Sequence, residues 1–201
     1  MSRWLILAVL SLLLLVPAAA LAKKRAPKPL VLEALAVELR DPDGELAGDQ
    51  GKALKVAGRC VQDDQRWARE MENREPVTQT YETLAGAVVC WQGAEKKAGK
   101  LGEPFAAATR FIGARARYVE TLRSFYFALT EKGRTGADGQ RLCERLEVAL
   151  GEAGAANDLG AGLATAFTNE DAKTMAAQLD ADIKHWGELV ATEYKHQKCS
   201  R

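Results

Sequence analysis

The chain has 201 residues, of which 28 are Lys or Arg and 27 are Asp or Glu, so its formal charge at pH 7 is only +1. That length suits one domain of ordinary size or at most two small ones. The near-zero charge excludes the overall positive field of a nucleic-acid-binding protein. Ala and Leu are abundant and no stretch alternates apolar and polar residues between hairpin turns, so the composition predicts an all-α fold.

Residues 1–22 have the pattern of a secretory signal peptide. Arg3 precedes an apolar run, and small residues occupy the first and last places of Ala20-Leu21-Ala22, directly before three basic residues. The apolar run is shorter than the ~20 residues that a membrane span needs. The sequence therefore predicts cleavage after Ala22, export to the periplasm or the medium, and no transmembrane segment in the mature protein.

Residues 23–45 are expected to form a basic flexible arm and an apolar strap ahead of a helical-bundle domain at 46–201. Four positive charges and two prolines lie within residues 23–29. The apolar segment 30–40 suits either a short helix or an extended strap, and Asp41-Pro42-Asp43-Gly44 is a turn signal that ends it.

Apolar residues at helical spacing predict five helices in the bundle domain. Glu75-Pro76 separates the first two, and several glycines indicate that the fourth helix is kinked or split. Thr168 to Asp171 resembles a capping box at the start of the fifth. Because short connections force neighbouring helices to be antiparallel, we expect an up-and-down bundle of four to five helices. The predicted spans are 52–74, 77–100, 104–132, 140–167 and 170–198.

The four cysteines indicate disulfides, because an even number in an exported protein is usually paired. The midpoint of Cys60 and Cys90 falls at the turn between the first two helices, and that of Cys143 and Cys199 falls at the turn before the last. Residues equidistant from a turn lie level in an antiparallel hairpin. The spacing therefore predicts the pairs Cys60–Cys90 and Cys143–Cys199, with reactive or metal-binding thiols as the alternative.

Two charged residues interrupt the apolar helix faces. Asp64 lies in the apolar stripe of the first helix, and Arg115 lies in that of the third. If both helices run in the same direction, the two residues stand at nearly the same height and form an interior ion pair. Such a pair specifies structure, and the alternative is a polar recess that binds a charged ligand.

The residue inventory excludes several enzyme classes. The sequence lacks HExxH, a P-loop, a dinucleotide-binding glycine motif and paired CxxC motifs, and without CxxCH it cannot hold a covalent c-type haem. After signal cleavage the serines are Ser124, predicted to face solvent, and Ser200 at the terminus. His185 and His196 are three helical turns apart and cannot share a metal. We therefore expect no catalytic, metal or cofactor site.

The C-terminal run Tyr194-Lys195-His196-Gln197-Lys198 resembles the end of the last helix in the periplasmic four-helix b-type cytochromes. In that family a His near the end of the last helix and a Met from the first helix ligate the haem iron. The resemblance implies His196 and Met71 as ligands here, and it gives the alternative function of a non-covalent haem-binding electron carrier.

An aromatic row, Phe111, Tyr118 and Phe125 with Tyr126, suits the core, or else it lines a groove that binds a ligand or peptide. Taken together, these patterns predict an exported, non-catalytic helical-bundle protein with a binding or structural role in the cell envelope. Its expected partner is another envelope protein or a small ligand.

Overall fold

A computed structural model describes residues 32–41, 43–46, 48–132 and 138–199; the predicted signal peptide and most of the basic arm lie outside these residues. All regular elements in the described ranges are helices, so the predicted all-α class is confirmed. None of these helices combines the length and apolarity that a membrane crossing requires. In chain order they are α1 (Leu32–Glu38), α2 (Gly48–Glu72), α3 (Val77–Ala98), a 3₁₀ turn (Glu103–Phe105), α4 (Ala106–Glu131), α5 (Asp138–Gly160), α6 (Leu163–Ala166) and α7 (Glu170–His196).

Proline and glycine set the helix boundaries at the places where the sequence indicates them. Pro76 has extended backbone angles and immediately precedes α3, while Gly99 ends it. The predicted fourth helix is split into α5 and α6, because Gly162 adopts a φ of +69°, which an α-helix does not accommodate. The predicted third helix begins instead as a 3₁₀ turn, with Pro104 in its first turn.

The start of α7 differs from the predicted capping box. Asn169 is the N-cap residue, and its side chain accepts a hydrogen bond from the Ala172 backbone N–H at 3.1 Å. The Thr168 hydroxyl, one residue earlier, donates to the Glu38 carboxylate of α1 at 3.3 Å. The cap therefore lies one residue later than predicted.

Consecutive long helices pack side by side. Residues late in one helix contact residues early in the next. Between α2 and α3, the disulfide joins Cys60 to Cys90, whereas Thr83, earlier in α3, donates to Glu70, later in α2. This order shows that the two helices are antiparallel. The same order holds for α3 with α4 and for α4 with α5, in pairs such as Thr109 with Ala98, Tyr81 with Phe127, Arg110 with Leu159 and Arg145 with Phe127.

Helix α4 is the central element, because it packs against α3, α5 and α7 and also contacts α1. Its buried residues lie on all sides of the helix. The prediction that Ser124 faces solvent is therefore wrong: Ser124 is 3% exposed. On a helical wheel Ser124 lies opposite the apolar seam of α4. That side of α4 is nevertheless covered by the rest of the protein, as its other buried residues show.

The sequence leaves open whether the apolar segment 30–40 is a short helix or an extended strap. Within it, residues 32–38 form the short helix α1. Leu35 and Leu39 are fully buried, and α1 packs against α2, α4 and α7. The Glu38 carboxylate accepts hydrogen bonds from the backbone N–H groups of Thr168 and Asn169, at 3.3 and 2.9 Å. This segment is thus part of the main hydrophobic core.

Candidate functional site

The structure brings Asp64 and Arg115 together. Arg115 Nη2 lies 2.9 Å and Nε 3.1 Å from Asp64 Oδ2, so two guanidinium N–H groups donate to the same carboxylate oxygen. The side chains of Asp64 and Arg115 are 8% and 12% exposed, respectively. The contact joins α2 to α4 across the interior, at the level that the sequence predicts.

Two tryptophans complete the surroundings of Asp64. Trp67 Nε1 donates to Oδ1 at 2.8 Å, and Trp91 Nε1 donates to Oδ1 and Oδ2 at 3.1 and 3.2 Å. Both carboxylate oxygens therefore accept at least two hydrogen bonds, which offset the cost of removing the charge from water. The sequence pattern assigns both tryptophans only to apolar stripes. The i, i+3 spacing of Asp64 and Trp67 is the one signal that points to their contact.

The Arg115 guanidinium is surrounded by aromatic rings. Its Cζ lies 5.0 Å from the ring centroid of Tyr118, 5.9 Å from that of Trp67 and 6.0 Å from that of Trp91. Burial alone would lower the pKa of Arg115, but the charge and hydrogen bond of Asp64, together with the nearby Tyr118 and Asp182, outweigh it and raise that pKa above its ordinary value. The cation is therefore stabilised by one carboxylate and by the faces of neighbouring rings.

A second carboxylate approaches Arg115 from α7. Asp182 is half-buried, and burial raises its pKa, while Gln178, Arg115 and His185 each act to lower it. Burial also raises the pKa of Tyr118, so its phenol stays protonated at physiological pH. Arg115 of α4 and Asp182 of α7 are both partly exposed and interact electrostatically beside the buried Tyr118, and we call this place the interhelical cleft.

The chemistry of this centre favours positioning and binding over proton transfer. The Asp64 oxygens are already occupied by hydrogen-bond donors, so the carboxylate is poorly suited to act as a general base. A guanidinium has five N–H groups, and two of those of Arg115 donate to Asp64. The Arg115 side chain is 12% exposed, so a small part of it is open to solvent.

The structure pairs the four cysteines as Cys60–Cys90 and Cys143–Cys199, with Cα–Cα distances of 5.4 and 5.2 Å. The first disulfide links α2 to α3, and Cys60 is fully buried in the main core. The second links α5 to the residues that follow α7, and both of its cysteines are half-buried.

The two residues of the haem alternative lie in different surroundings. The side chain of His196 is 73% exposed, and its Nδ1 lies 3.9 Å from Glu193 Oε2. Met71 is half-buried near the end of α2 and packs against the main core. His185 stands edge-on to Trp186.

The predicted aromatic row packs ring against ring. Phe111 contacts Phe167, and Tyr118 contacts Trp67, each in an edge-to-face arrangement. Further along α4, Phe125 and Tyr126 both contact Trp186 of α7. The row therefore serves mainly as core between α4 and its neighbours, and Tyr118 also borders the interhelical cleft.

A separate groove of about 800 Å³ lies beside the Cys143–Cys199 disulfide, at the end of the α5–α7 pair. Both ends of the disulfide line it. The other lining side chains are mostly polar: Gln140, Glu144, Glu147, Tyr194, Gln197 and Lys198. We call it the terminal groove.

Comparisons with protein-family models, with curated proteins and with solved structures found no match. Within the described ranges, no three His, Cys, Asp or Glu residues are grouped as a metal site would require.

Proposed function

We propose that the protein is an exported, non-catalytic up-and-down helical bundle with a binding or structural role in the cell envelope. The observation that carries this proposal is the pair of disulfides, one linking α2 to α3 and the other linking α5 to the residues that follow α7. Disulfides form and persist in oxidising compartments and are rare in the cytosol. The signal-peptide pattern of residues 1–22 supports export independently.

The proposed lack of catalysis is supported by the interior polar groups Asp64 and Ser124, because they are hydrogen-bonded to other groups of the protein. Asp64 is occupied by Trp67, Trp91 and Arg115. Ser124 is buried beside the Glu120 carboxylate, 3.5 Å from Oε1, with no histidine in reach on its own helix. A buried hydroxyl beside a carboxylate lacks both the imidazole base and the access that a serine nucleophile needs.

The interhelical cleft is the binding surface that we propose for another envelope protein or a small ligand. Arg115 and Asp182, which are both partly exposed, present a cation and a carboxylate there. Helix α1 packs between α2 and α7 near the start of α2, where a Cβ added to Gly58 would lie 3.5 Å from the Leu32 side chain. The cleft therefore lies about two helical turns away from α1.

Export is tested on the protein recovered from the envelope fraction of its host. N-terminal sequencing should begin at Lys23, and alkylation without reductant should leave all four cysteines unmodified. Four reactive thiols, or a retained Met1 in the cytosol, would contradict the proposal.

Binding is tested with a photo-crosslinking amino acid at Asp182 in the cleft and, as a control, at Gly151. Gly151 is exposed on α5, and an added side chain there meets nothing within 4 Å. A discrete adduct from position 182 and none from position 151 is the expected result. Stoichiometric hemin binding that is lost in His196→Ala would replace this proposal with the haem alternative.

A further inference from the structure

A row of basic side chains, interrupted once by a glutamine, follows the solvent face of α2. Its members recur at steps of three and four residues, which keeps them on one side of the helix. All are exposed, and the row extends roughly 25 Å. The row, which we call the basic ridge, consists of Lys52, Lys55, Arg59, Arg66 and Arg69, with Gln62 in the gap.

The end of α3 extends this positive region. The hydrogen bond and charge of Lys52, and then the charges of Lys100 and Lys97, lower the pKa of Asp49 at the start of α2. The three lysines therefore share one end of the ridge. The carboxylates nearby on α2 are Asp49, which Lys52 pairs at 3.0 Å, Asp63, which is partly covered, the buried Glu70, which Arg66 pairs at 3.2 Å, and the exposed Glu72.

The C-terminal part of the described chain carries the opposite charge. Residues 48–100 contain nine Lys or Arg and eight Asp or Glu, and two of those acidic residues, Asp64 and Glu70, are buried. Residues 138–199 contain six Lys or Arg and eleven Asp or Glu. A nearly neutral chain is thus divided into one hairpin with a positive surface and one with a negative surface.

We propose that the basic ridge binds the surface of an anionic phospholipid bilayer. Juxtaposed Lys and Arg side chains are attracted to acidic headgroups, and a straight row on one helix can bring all of them to a plane together. The acidic α5–α7 hairpin is repelled by the same surface, so the protein is oriented as well as held. The inference rests on the proposed envelope role and names its partner.

The ridge is better suited to a bilayer than to a folded protein partner. Protein interfaces depend on a few large anchors, mostly aromatic residues and Arg in close-fitting pockets. Among the described residues, the large apolar side chains with high exposure are Val37, Val89, Val148 and Leu189, and none belongs to the ridge. A bilayer surface requires charge but no shape complementarity.

The test is co-sedimentation of the full chain with vesicles of phosphatidylcholine, with and without phosphatidylglycerol, at physiological ionic strength. The ridge variant is Lys52→Gln, Lys55→Gln, Arg59→Gln and Arg69→Gln. Arg66 is kept, because it pairs with the buried Glu70 at 3.2 Å. The matched variant removes four exposed cations from the acidic hairpin: Arg141→Gln, Lys184→Gln, Lys195→Gln and Lys198→Gln.

We expect the unaltered protein to bind the anionic vesicles more tightly than the neutral ones. The ridge variant should lose about a hundredfold of that affinity, and the matched variant should keep it within a few-fold. Residues 1–31 are identical in all three proteins, so their contribution cancels. Far-UV circular dichroism and thermal melting check that both variants are folded.

Other outcomes would overturn the inference. Equal losses in the two variants would mean that only net charge matters, and no preference for anionic vesicles would mean that the ridge is a solvated face. Tighter binding to heparin than to vesicles, lost in the ridge variant alone, would assign the ridge to a polyanion instead. Failed vesicle binding by protein that is exported and oxidised would refute this inference and leave the proposed function standing.

Discussion

The two disulfide-linked hairpins use the same covalent device in different surroundings. In the α2–α3 hairpin, Cys60–Cys90 lies in the main core, one helical turn from the buried Asp64. In the α5–α7 hairpin, Cys143–Cys199 borders the terminal groove and adjoins a much smaller hydrophobic cluster. That cluster is built on Ala128, Leu142, Leu146, Ala149 and Val190.

The charged contacts differ in the same way. The first hairpin holds a buried carboxylate with every oxygen occupied, whereas the second holds surface pairs such as Lys184 with Asp180. Buried polar contacts are costly to break, and surface pairs contribute little. Interior polar contacts therefore specify how α2 and α3 pack against α4. At the C-terminal end, the disulfide contributes a larger share of the stability.

The largest expected effect is that of Asp64→Ala. It leaves Arg115 as an uncompensated interior cation and two indole N–H groups without their acceptor, so it should lower the free energy of unfolding by about 4 kcal/mol. Denaturant unfolding measures this loss. Asp180→Ala in the second hairpin is the control and should cost less than about 1 kcal/mol.

The double variant Asp64→Leu with Arg115→Met sharpens this prediction. Replacing both partners with apolar residues removes the uncompensated charge, so the loss should be much smaller than the sum of the single losses. Simple additivity would show that the two side chains do not act on each other.

Removal of either disulfide should have the next largest effect, about 3–4 kcal/mol by chain entropy. Cys60→Ala with Cys90→Ala should lower the melting temperature of the whole domain. Cys143→Ala with Cys199→Ala should also increase hydrogen exchange at the end of α7, because the small cluster there holds that end weakly. Equal exchange protection at the end of α7 in the two variants would remove the distinction between the hairpins.

Mild reduction of the native protein should open Cys143–Cys199 at least tenfold faster than Cys60–Cys90, a difference of about 1.4 kcal/mol in barrier height. Both cysteines of the second disulfide line the terminal groove, whereas Cys60 is fully buried. Mass spectrometry of alkylated peptides follows the two rates. Simultaneous reduction would indicate that both bonds open only on global unfolding.

The smallest effect concerns Asp182, whose pKa burial raises in the folded state. The stability that this group contributes is fully present below its unfolded pKa and is lost as the pH rises through the raised folded value. Asp182→Asn cannot ionise, so at pH 7 it should be slightly more stable than the unaltered protein, by less than about 1 kcal/mol because the carboxyl is partly solvated. The two proteins should converge under acidic conditions.

The stability contributed by Glu193 should depend on pH in the opposite direction to that of Asp182. Burial alone would raise the pKa of Glu193, but hydrogen bonds from Gln197 and Lys132 lower it. Its contribution is therefore present above the unfolded pKa and is lost as the pH falls through the lowered one. Glu193→Gln should be less stable than the unaltered protein at pH 7. Urea unfolding at pH 7 and under acidic conditions measures the free energy of unfolding of the Asp182 and Glu193 variants.

The all-α class follows from the abundance of Ala and Leu, whereas the cysteine pairs and the level of Asp64 with Arg115 follow from helix register. Turns such as Glu75-Pro76 fix the register of an antiparallel hairpin, so residue numbers convert directly into heights. The split at Gly162 could be expected for a similar reason, since glycines weaken a helix.

The remaining features depend on side-chain direction and on the number of neighbours, which spacing does not encode. Trp67 and Trp91 belong to apolar stripes, and only the folded core shows their indole N–H groups meeting at Asp64. A helical wheel places Ser124 toward solvent because it gives an angle but not the number of helices around α4. Local spacing does not predict the Asn169 cap, because Glu38, 131 residues away, takes part at the same turn.

The Glu38 contact also bears on the order of assembly as the chain is made from its N-terminus. Cys60 and Cys90 are both synthesised before α5 begins, so the first hairpin can close early. Helix α1 is made earlier still, yet the backbone N–H groups that its Glu38 engages belong to Thr168 and Asn169. The Glu38 contact must therefore wait until the start of α7 has been made, although α2 and α4, against which α1 also packs, are made earlier.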